Sequence, residues 1–246
     1  MKRRIAVSLA VLAAALAGCS PAPQEIKGKA QDAPAGWSQP PRIQSVEATS
    51  SGLLIRGQAG AEARVVLRDA VGNAQAVSAD AGGRFELTTP TPAAAALFSL
   101  AVQTGEETAA APERLLVLDG GRGPIAVLLA GEASIRLDRS GPLGAVDTDG
   151  AVMILSGPLS DGRAPSLSLD GEALPDPGRA GPIWRIDAPR GSGPRRITVG
   201  NQSYGYPGDA NATEPFRVER AGDGWRVGWS APHGGRQTTW LPDSLR

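Results

Sequence analysis

The sequence predicts an all-β protein, and three observations support this fold class. Beyond position 42, apolar and polar residues alternate over short runs, which is the period-two pattern of half-buried strands. Glycine (32 residues) and proline (21 residues) separate the runs along the 246-residue chain, as turns between strands require. After position 19, no segment sustains a 3.6-residue apolar period between helix caps. We therefore expect antiparallel sheets packed as β-sandwiches, followed by a small C-terminal β element.

The first sandwich module is predicted over residues 42–120. Gly72-Asn73 and Gly82-Gly83 fall where tight hairpin turns need positive φ. The strand-like residues 114–137 fit the end of this module or the start of the next one. The apolar side chains on alternate positions, which we expect to form its core, are Ile43, Val46, Leu53, Ile55, Val65, Leu67, Val77, Phe85 and Leu87.

Three segments of this region resemble a bacterial immunoglobulin-like repeat: Leu53–Gly57, Ala63–Asp69 and Ala79–Leu87. Such modules combine a strand ending in glycine, a strand of branched residues, a glycine-rich turn and an aromatic-x-Leu strand. The resemblance covers about residues 40–103. It implies a sandwich fold and leaves the function open.

An internal repeat predicts a second immunoglobulin-like sandwich module over residues 121–200. Phe85–Pro90 realigns with Trp184–Pro189, 99 residues further along the chain. At the same offset, Leu53–Ile55 falls on Val152–Ile154. The two copies agree in pattern more than in identity, as expected when only the alternation of buried and exposed positions is shared.

An aromatic-rich C-terminal element is predicted over residues 201–246, which hold six of the ten aromatic residues. Phe216–Arg220 and Trp225–Trp229 flank an Asp-Gly turn and form a strong hairpin signal. Gln237–Leu241 adds a third strand, and three strands with one aromatic face can hold together where two cannot.

The tryptophans of this element have two interpretations. They pack the hairpin against the preceding sandwich, or they form a stacking platform for a sugar ring or for the apolar surface of a partner. Trp225 and Trp229 share one face of their strand, because side chains repeat every two residues. The candidate binding surface comprises Trp225, Trp229 and Trp240. Exposure of these indoles in the folded protein distinguishes the two interpretations.

The N-terminus has the pattern of an export signal. Met1–Arg4 is basic, and Ile5–Leu16 is an apolar run that is shorter than the ~20 residues a membrane span needs. The run ends in Leu16-Ala17-Gly18-Cys19, which resembles the lipobox of bacterial lipoproteins. The resemblance implies that residues 1–18 are a signal peptide and that Cys19 carries a lipid anchor.

The cysteine content supports this interpretation. Cys19 is the only cysteine, so it has no internal disulfide partner, and lipid attachment would remove a free thiol from an oxidising envelope. Residues 19–41 are rich in Pro, Ala, Gln and Gly and are predicted to form a disordered tether. By resemblance to bacterial sorting rules, Ser20 implies transfer to the outer membrane, with the protein on its periplasmic face.

Charge and composition argue against several function classes. Without residues 1–18, 22 basic residues face 25 acidic ones, which predicts no surface for nucleic acid. His233 is the one histidine and does not by itself build a two-histidine zinc site. Asp147-x-Asp149-Gly150 resembles the start of a calcium loop but lacks the later bidentate acid, so we interpret it as a turn. The sequence has no Gly-x-Ser-x-Gly elbow, and we predict no catalytic residue, metal or cofactor.

We therefore expect a non-catalytic, lipid-anchored envelope protein that acts as an interaction or structural module. The expected partners are the membrane, through the lipid on Cys19, and an envelope protein or peptidoglycan. The contact surface would be an exposed strand edge or the aromatic C-terminal element. One alternative is a carbohydrate- or peptidoglycan-binding lipoprotein that uses Trp225, Trp229 and Trp240. A further alternative is an enzyme with two converging acids.

Overall fold

The computed structural model describes residues 39–104, 107–191, 193–209, 214–232 and 234–244. The expected signal peptide, the lipobox and residues 19–38 of the expected tether lie outside these ranges. Ser38–Arg246 cluster as one unit, to which all the strands described below belong.

The described residues form twenty strands and one short 3-10 turn, Asp119–Gly121, between the seventh and eighth strands. In chain order the strands are β1 (Arg42–Thr49), β2 (Gly52–Gln58), β3 (Arg64–Arg68), β4 (Ala74–Ser78), β5 (Arg84–Thr89), β6 (Ala96–Thr104), β7 (Glu107–Val117), β8 (Ile125–Leu129), β9 (Ile135–Arg136), β10 (Ala145–Thr148), β11 (Met153–Pro158), β12 (Leu167–Leu169), β13 (Glu172–Ala173), β14 (Gly178–Ala180), β15 (Ile183–Ala188), β16 (Arg195–Val199), β17 (Gln202–Tyr206), β18 (Phe216–Arg220), β19 (Gly224–Ser230) and β20 (Arg236–Pro242).

The predicted all-β, sandwich-like fold class is confirmed, and every pairing between the described strands is antiparallel. The local cause is visible in β5, whose residues alternate between exposed and buried along its whole length. The turn before β5 requires glycine at Gly83, which has a φ of 79°. A Cβ there would lie 2.3 Å from the carbonyl oxygen of Ala59.

The first sandwich packs the sheet β1-β2-β5 against the sheet β4-β3-β6-β7-β8-β9. Leu53 and Ile55 of β2 meet Leu115 and Val117 of β7 in the layer between these sheets, and all four are buried. This layer holds most of the apolar residues that the alternation in the sequence assigns to a core, because each strand of the three-stranded sheet has one buried face.

The second sandwich repeats this strand order. Strands β10-β11-β15 correspond to β1-β2-β5, and strands β13-β12-β16-β17 correspond to β4-β3-β6-β7. Leu155 and Trp184 from the first of these sheets are buried against Ile197 and Val199 from the second. The same seven-strand arrangement is therefore present twice in the chain.

Each sandwich also carries an addition to one sheet. In the first, β8 and β9 extend the sheet beyond β7, and in the second, β20, β19 and β18 extend the sheet beyond β10. The two extended sheets face each other across a third apolar layer. Leu116 and Leu128 lie on one side of this layer, and Val227, Trp229 and Leu241 lie on the other. Four sheets are thus stacked with a buried layer between each successive pair.

These additions move the boundaries expected from the sequence. The first sandwich, expected to end at residue 120, continues through β9 to Arg136. Within residues 201–246, β18, β19 and β20 form the expected three-stranded antiparallel element, and β17 pairs with β16 and β20 with β10 of the second sandwich. The physical reason is that an unpaired strand edge and an exposed apolar sheet face both favour a neighbour.

Candidate functional site

Trp229 and Trp240, two of the three tryptophans in the expected binding surface, are buried. Their exposed fractions are 2% and 1%, so neither indole is accessible to a sugar ring or to a partner. Trp225 is half-buried, and the guanidinium carbon of Arg220 lies 4.8 Å from the centroid of its ring. The expected stacking platform is therefore not formed by Trp229 and Trp240. The reason is that both faces of their seven-stranded sheet are covered, one by each neighbouring layer.

The two buried indoles join the C-terminal strands to both sandwiches. Trp240 points into the core of the second sandwich, where its ring meets Tyr206 edge to face at 5.8 Å and its Nε1 donates to the carbonyl of Ala221 at 2.9 Å. Trp229 points into the layer between the sandwiches, and its Nε1 donates to Oγ1 of Thr239 at 3.1 Å. Both tryptophans therefore serve to pack the C-terminal strands against the two sandwiches.

A polar network crosses the layer between the sandwiches at Asp147 on β10. Its Oδ2 accepts the backbone N–H of Ser134, and its Oδ1 accepts the hydroxyls of Ser134 and Thr239, each at 2.7 Å. Burial raises the pKa of Asp147 to about 6, although these hydrogen bonds act to lower it. Because Ser134 lies between β8 and β9, this carboxyl group connects one sandwich to the other, and its burial indicates a structural role.

Asp149, the second acid of the calcium-like motif, lines a small cavity together with Asp147, but its carboxylate is used to close a turn. Its Oδ1 accepts the backbone N–H groups of Val152 (2.9 Å) and Ala151 (2.8 Å), which closes the turn between β10 and β11. These two bonds lower the pKa of Asp149. In the described part of the chain, no three His, Cys, Asp or Glu side chains come together as metal ligands would.

Several residues named from the sequence lie outside the described ranges. They are Leu16, Ala17, Gly18 and Cys19 of the lipobox, Ser20, and His233. Among the residues that are described, none belongs to a helix with the length and apolar character needed to cross a bilayer.

Strand β4 has one unpaired edge, which the sequence pattern did not predict. In the described structure β4 pairs only with β3. The N–H of Ala79 donates to the carbonyl of Ala63, so these two residues form a hydrogen-bonded pair. In an antiparallel ladder every second pair is hydrogen-bonded, and the pairs of Ala74, Ala76 and Ser78 with β3 are therefore the non-hydrogen-bonded ones. The N–H and C=O groups of Ala74, Ala76 and Ser78 consequently point away from β3, toward the open edge. The signal in the sequence is a strand of small, uncharged residues without the charge or proline common at sheet edges.

The open edge of β4 differs from the other sheet edges. The four sheets have eight edge strands, and within the described residues only β4 and β17 carry no charged side chain. The turn at Gly222 lies against β17, where a Cβ on Gly222 would be 3.5 Å from the carbonyl oxygen of Gly205. Charged residues and covering loops are the usual protection against unwanted strand pairing. Among the described edges, β4 has neither.

A cavity of about 370 Å³ lies beside β4, between the β3–β4 hairpin and residues 89–92. Leu67 and Phe98 contribute apolar walls. Gln75 also lines the cavity, and its buried Oε1 accepts no hydrogen bond from the described residues. Val71, at the tip of the hairpin, is 84% exposed. An open strand edge, a side-chain cavity and an unused acceptor therefore lie together in the first sandwich.

Comparison with known proteins adds no family assignment. A scan against models of protein families and a search of curated proteins both found no match for this chain.

Proposed function

We propose that this protein is a non-catalytic, lipid-anchored envelope lipoprotein that binds a partner protein by adding a strand to β4. The open edge of β4 carries the proposal. Ala74, Ala76 and Ser78 direct their backbone N–H and C=O groups to solvent from a strand without charge. Such groups pair with an extended segment that aligns along them. The lipobox resemblance of Leu16–Cys19 supports the membrane location.

Strand addition at β4 would bind through the main chain and select through side chains. An extended segment along this edge places alternate side chains over the outer sheet face and between the two sheets. The inward-directed side chains lie beside the cavity, where Oε1 of Gln75 is available to a donor. Main-chain hydrogen bonds would then supply affinity, and the fit to the cavity would supply selectivity.

The remaining strands support this edge on a rigid body. The three apolar layers and the Asp147 network connect the sandwiches within the described unit. Binding groups held by packed strands are positioned better than groups on free loops. The carbohydrate-binding alternative loses its main support, because Trp229 and Trp240 are buried.

Metabolic labelling with a fatty-acid analogue tests the anchor. We expect label on the wild-type protein and none on a Cys19→Ser variant, which should also leave the membrane fraction. A variant that stays labelled and membrane-bound would contradict lipidation at this residue.

Photo-crosslinking in intact cells tests the edge. A photoreactive amino acid at position 78 should give a discrete crosslinked product, whereas the same probe at the exposed Glu132 in the β8–β9 turn should not. Ala76→Pro should abolish the product, because proline removes an outward N–H while the ladder to β3 is unaffected. Ala76→Ser, which keeps the N–H, is the matched control and should retain it. Equal crosslinking in both Ala76 variants would exclude strand addition at β4.

A further inference from the structure

Arginines flank the open edge on the outer face of the six-stranded sheet. Arg64 and Arg68, at the two ends of β3, are exposed and lie directly opposite Ser78 and Ala74 of β4. The outward side chains of β4 are those of Ala74, Ala76 and Ser78, and all three are small. A long arginine side chain can therefore extend across one strand spacing of about 4.8 Å and reach the open edge.

These arginines have no acidic partner in the described structure. Neither Arg64 nor Arg68 belongs to any of the ion pairs formed by the described residues. Asp69 follows Arg68 in the sequence, but its carboxylate is used within the β3–β4 turn. Oδ1 accepts the backbone N–H of Asn73 at 2.9 Å, and Oδ2 accepts Nδ2 of the same residue at 2.8 Å.

A third arginine extends the positive charge across the same face. Ser99 of β6 is paired with Arg68 on one side and with Arg114 of β7 on the other, so the three residues form a row across neighbouring strands. Arg114 is half-buried, and this burial lowers its pKa without an opposing contribution from a nearby acid. None of the ion pairs among the described residues includes Arg64, Arg68 or Arg114, so these three side chains give the face beside β4 a positive charge.

We infer that the segment received by β4 carries acidic side chains at two positions four residues apart, with a small apolar residue midway between them. This inference rests on the proposed function and specifies the partner of the same site. The two acids would face Arg64 and Arg68, which stand opposite the ends of β4. The middle residue would face Ala76 and Val66, which is buried between the two arginines. The partner is thus an extended protein segment with the pattern acid-x-apolar-x-acid.

Peptide binding to the full-length protein in detergent micelles tests the pattern. Three blocked, fluorescent heptapeptides serve as probes: Thr-Glu-Thr-Val-Thr-Glu-Thr and its versions with two glutamines or two lysines in place of the glutamates. We expect the acidic peptide to bind about tenfold more tightly than the glutamine peptide, the effect of two exposed ion pairs, and the lysine peptide to bind least. The preference should shrink at about 0.5 M salt, because screening weakens exposed pairs.

A charge-reversal variant makes the test specific. Arg64→Glu/Arg68→Glu should reverse the preference, so that the lysine peptide binds most tightly. Arg163→Glu/Arg196→Glu changes the net charge equally at exposed positions of the second sandwich and should leave the order unchanged. Hydrogen-exchange mass spectrometry should show that the acidic peptide protects the amides of residues 73–79.

The outcomes separate this inference from the proposed function. If all three peptides protect β4 with equal affinity, strand addition stands and the acidic pattern is wrong. If no peptide protects β4, both are wrong. If the acidic peptide binds equally to the Ala76→Pro variant, or if the control double variant also reverses the preference, binding is a general charge effect and the assignment to this edge fails.

Discussion

The two sandwiches share one strand order but differ at an equivalent edge. In the first, β4 has five residues and no charge, and in the second, its counterpart β13 has only Glu172 and Ala173. Two residues offer few outward backbone groups, and an acidic side chain discourages pairing with a further strand. The same topology therefore leaves an edge open to a partner in one copy and protects it in the other, through the length and charge of a single strand.

The additions to the two sandwiches cover different edges. β8 covers the edge of β7 in the first copy, and β20 covers the edge of β10 in the second. These additions supply the surfaces of the layer between the copies, where Trp229, Leu116 and Leu128 lie. Aromatic and aliphatic residues thus concentrate where sheets pack on each other, while the edge proposed for recognition has only small side chains on its outer face. The comparison predicts that mutations in the layers change stability and that mutations at β4 change binding.

Removal of a buried indole should give the largest effect. Trp240→Ala empties part of the second core, and Trp229→Ala empties part of the layer between the sandwiches. We expect each to lower the free energy of unfolding by about 3–5 kcal/mol, measured by urea denaturation of the full-length protein. Val152→Ala, at a side chain that is 42% exposed, is the control and should change it by less than about 0.5 kcal/mol. A small loss for Trp229→Ala alone would show that the copies do not depend on this layer.

The buried carboxyl between the sandwiches should make stability depend on pH. The pKa of Asp147 is raised from 3.8 to about 6 in the folded protein, so the folded state binds the proton more tightly than the unfolded state. Stability from this group is then fully present below about pH 4 and is lost as the pH rises through 6, by about 3 kcal/mol. Burial also raises the pKa of Glu113, which acts in the same direction.

An Asp147→Asn variant isolates this effect. An amide can satisfy the same neighbours, with its oxygen toward the N–H of Ser134 and its nitrogen toward the hydroxyls of Ser134 and Thr239. The free energy of unfolding, measured by urea denaturation from about pH 4 to pH 7, should fall less steeply in the variant than in the wild type. Equal slopes in the two proteins would mean that Asp147 does not titrate in this window.

The strands of the first sandwich could be predicted from the sequence, because each strand of its three-stranded sheet has one buried face. β11 in the second sandwich is different. Met153 and Leu155 face the second core, while Ile154 packs with Ala133 and Ile183 on the opposite face. A strand buried on both faces loses the period-two pattern, so neither its exact register nor its contact with the first sandwich could be predicted.

The internal repeat shows the limit of a fixed offset. Phe85 lies opposite Gly57, and Trp184 lies opposite Gly157. The aromatic residues are 99 positions apart and the glycines are 100 apart. An offset that aligns β5 with β15 therefore places β2 one residue out on β11. A shift of one residue exchanges the two faces of a strand, which is why Ile55 was matched to Ile154 instead of Leu155.

The candidate site was predictable only in part. Gly72-Asn73 indicated the hairpin, and the composition of Ala74–Ser78 is visible in the sequence. The sequence does not show that β4 lies at a sheet edge, because this depends on which strands pair with β3 in the tertiary structure. The cavity likewise requires Gln75 to approach residues 89–92. In the same way, an aromatic-rich tail does not by itself distinguish a packing surface from a binding surface.

The paired glycines give a prediction of intermediate size. A Cβ on Gly57 would lie 2.2 Å from the carbonyl oxygen of Arg42, and one on Gly157 would lie 2.1 Å from the carbonyl oxygen of Pro142. We expect Gly57→Ala and Gly157→Ala each to lower the free energy of unfolding by about 1–3 kcal/mol, because the backbone must shift. Gly205→Ala, where no atom lies within 4 Å of the Cβ position, should cost nothing measurable in the same urea titration. A loss at only one of the two glycines would show that the sandwiches are less equivalent than their strand order indicates.

The smallest effect on stability should accompany the largest effect on binding. Ala76→Glu and Ala173→Glu place a carboxylate on the exposed side of β4 and of its counterpart β13. Each should change the free energy of unfolding by less than about 0.5 kcal/mol, since both side chains are exposed. At β4, however, the new carboxylate would lie between Arg64 and Arg68, offset part of their positive charge and repel an acidic segment. We expect Ala76→Glu to weaken the acidic heptapeptide by about tenfold or more and to remove the crosslink from position 78. Ala173→Glu should change neither, because a two-residue strand does not receive a partner.

Equal losses in the two variants would mean that the peptide responds to net charge, and unchanged binding in both would mean that it does not lie along β4.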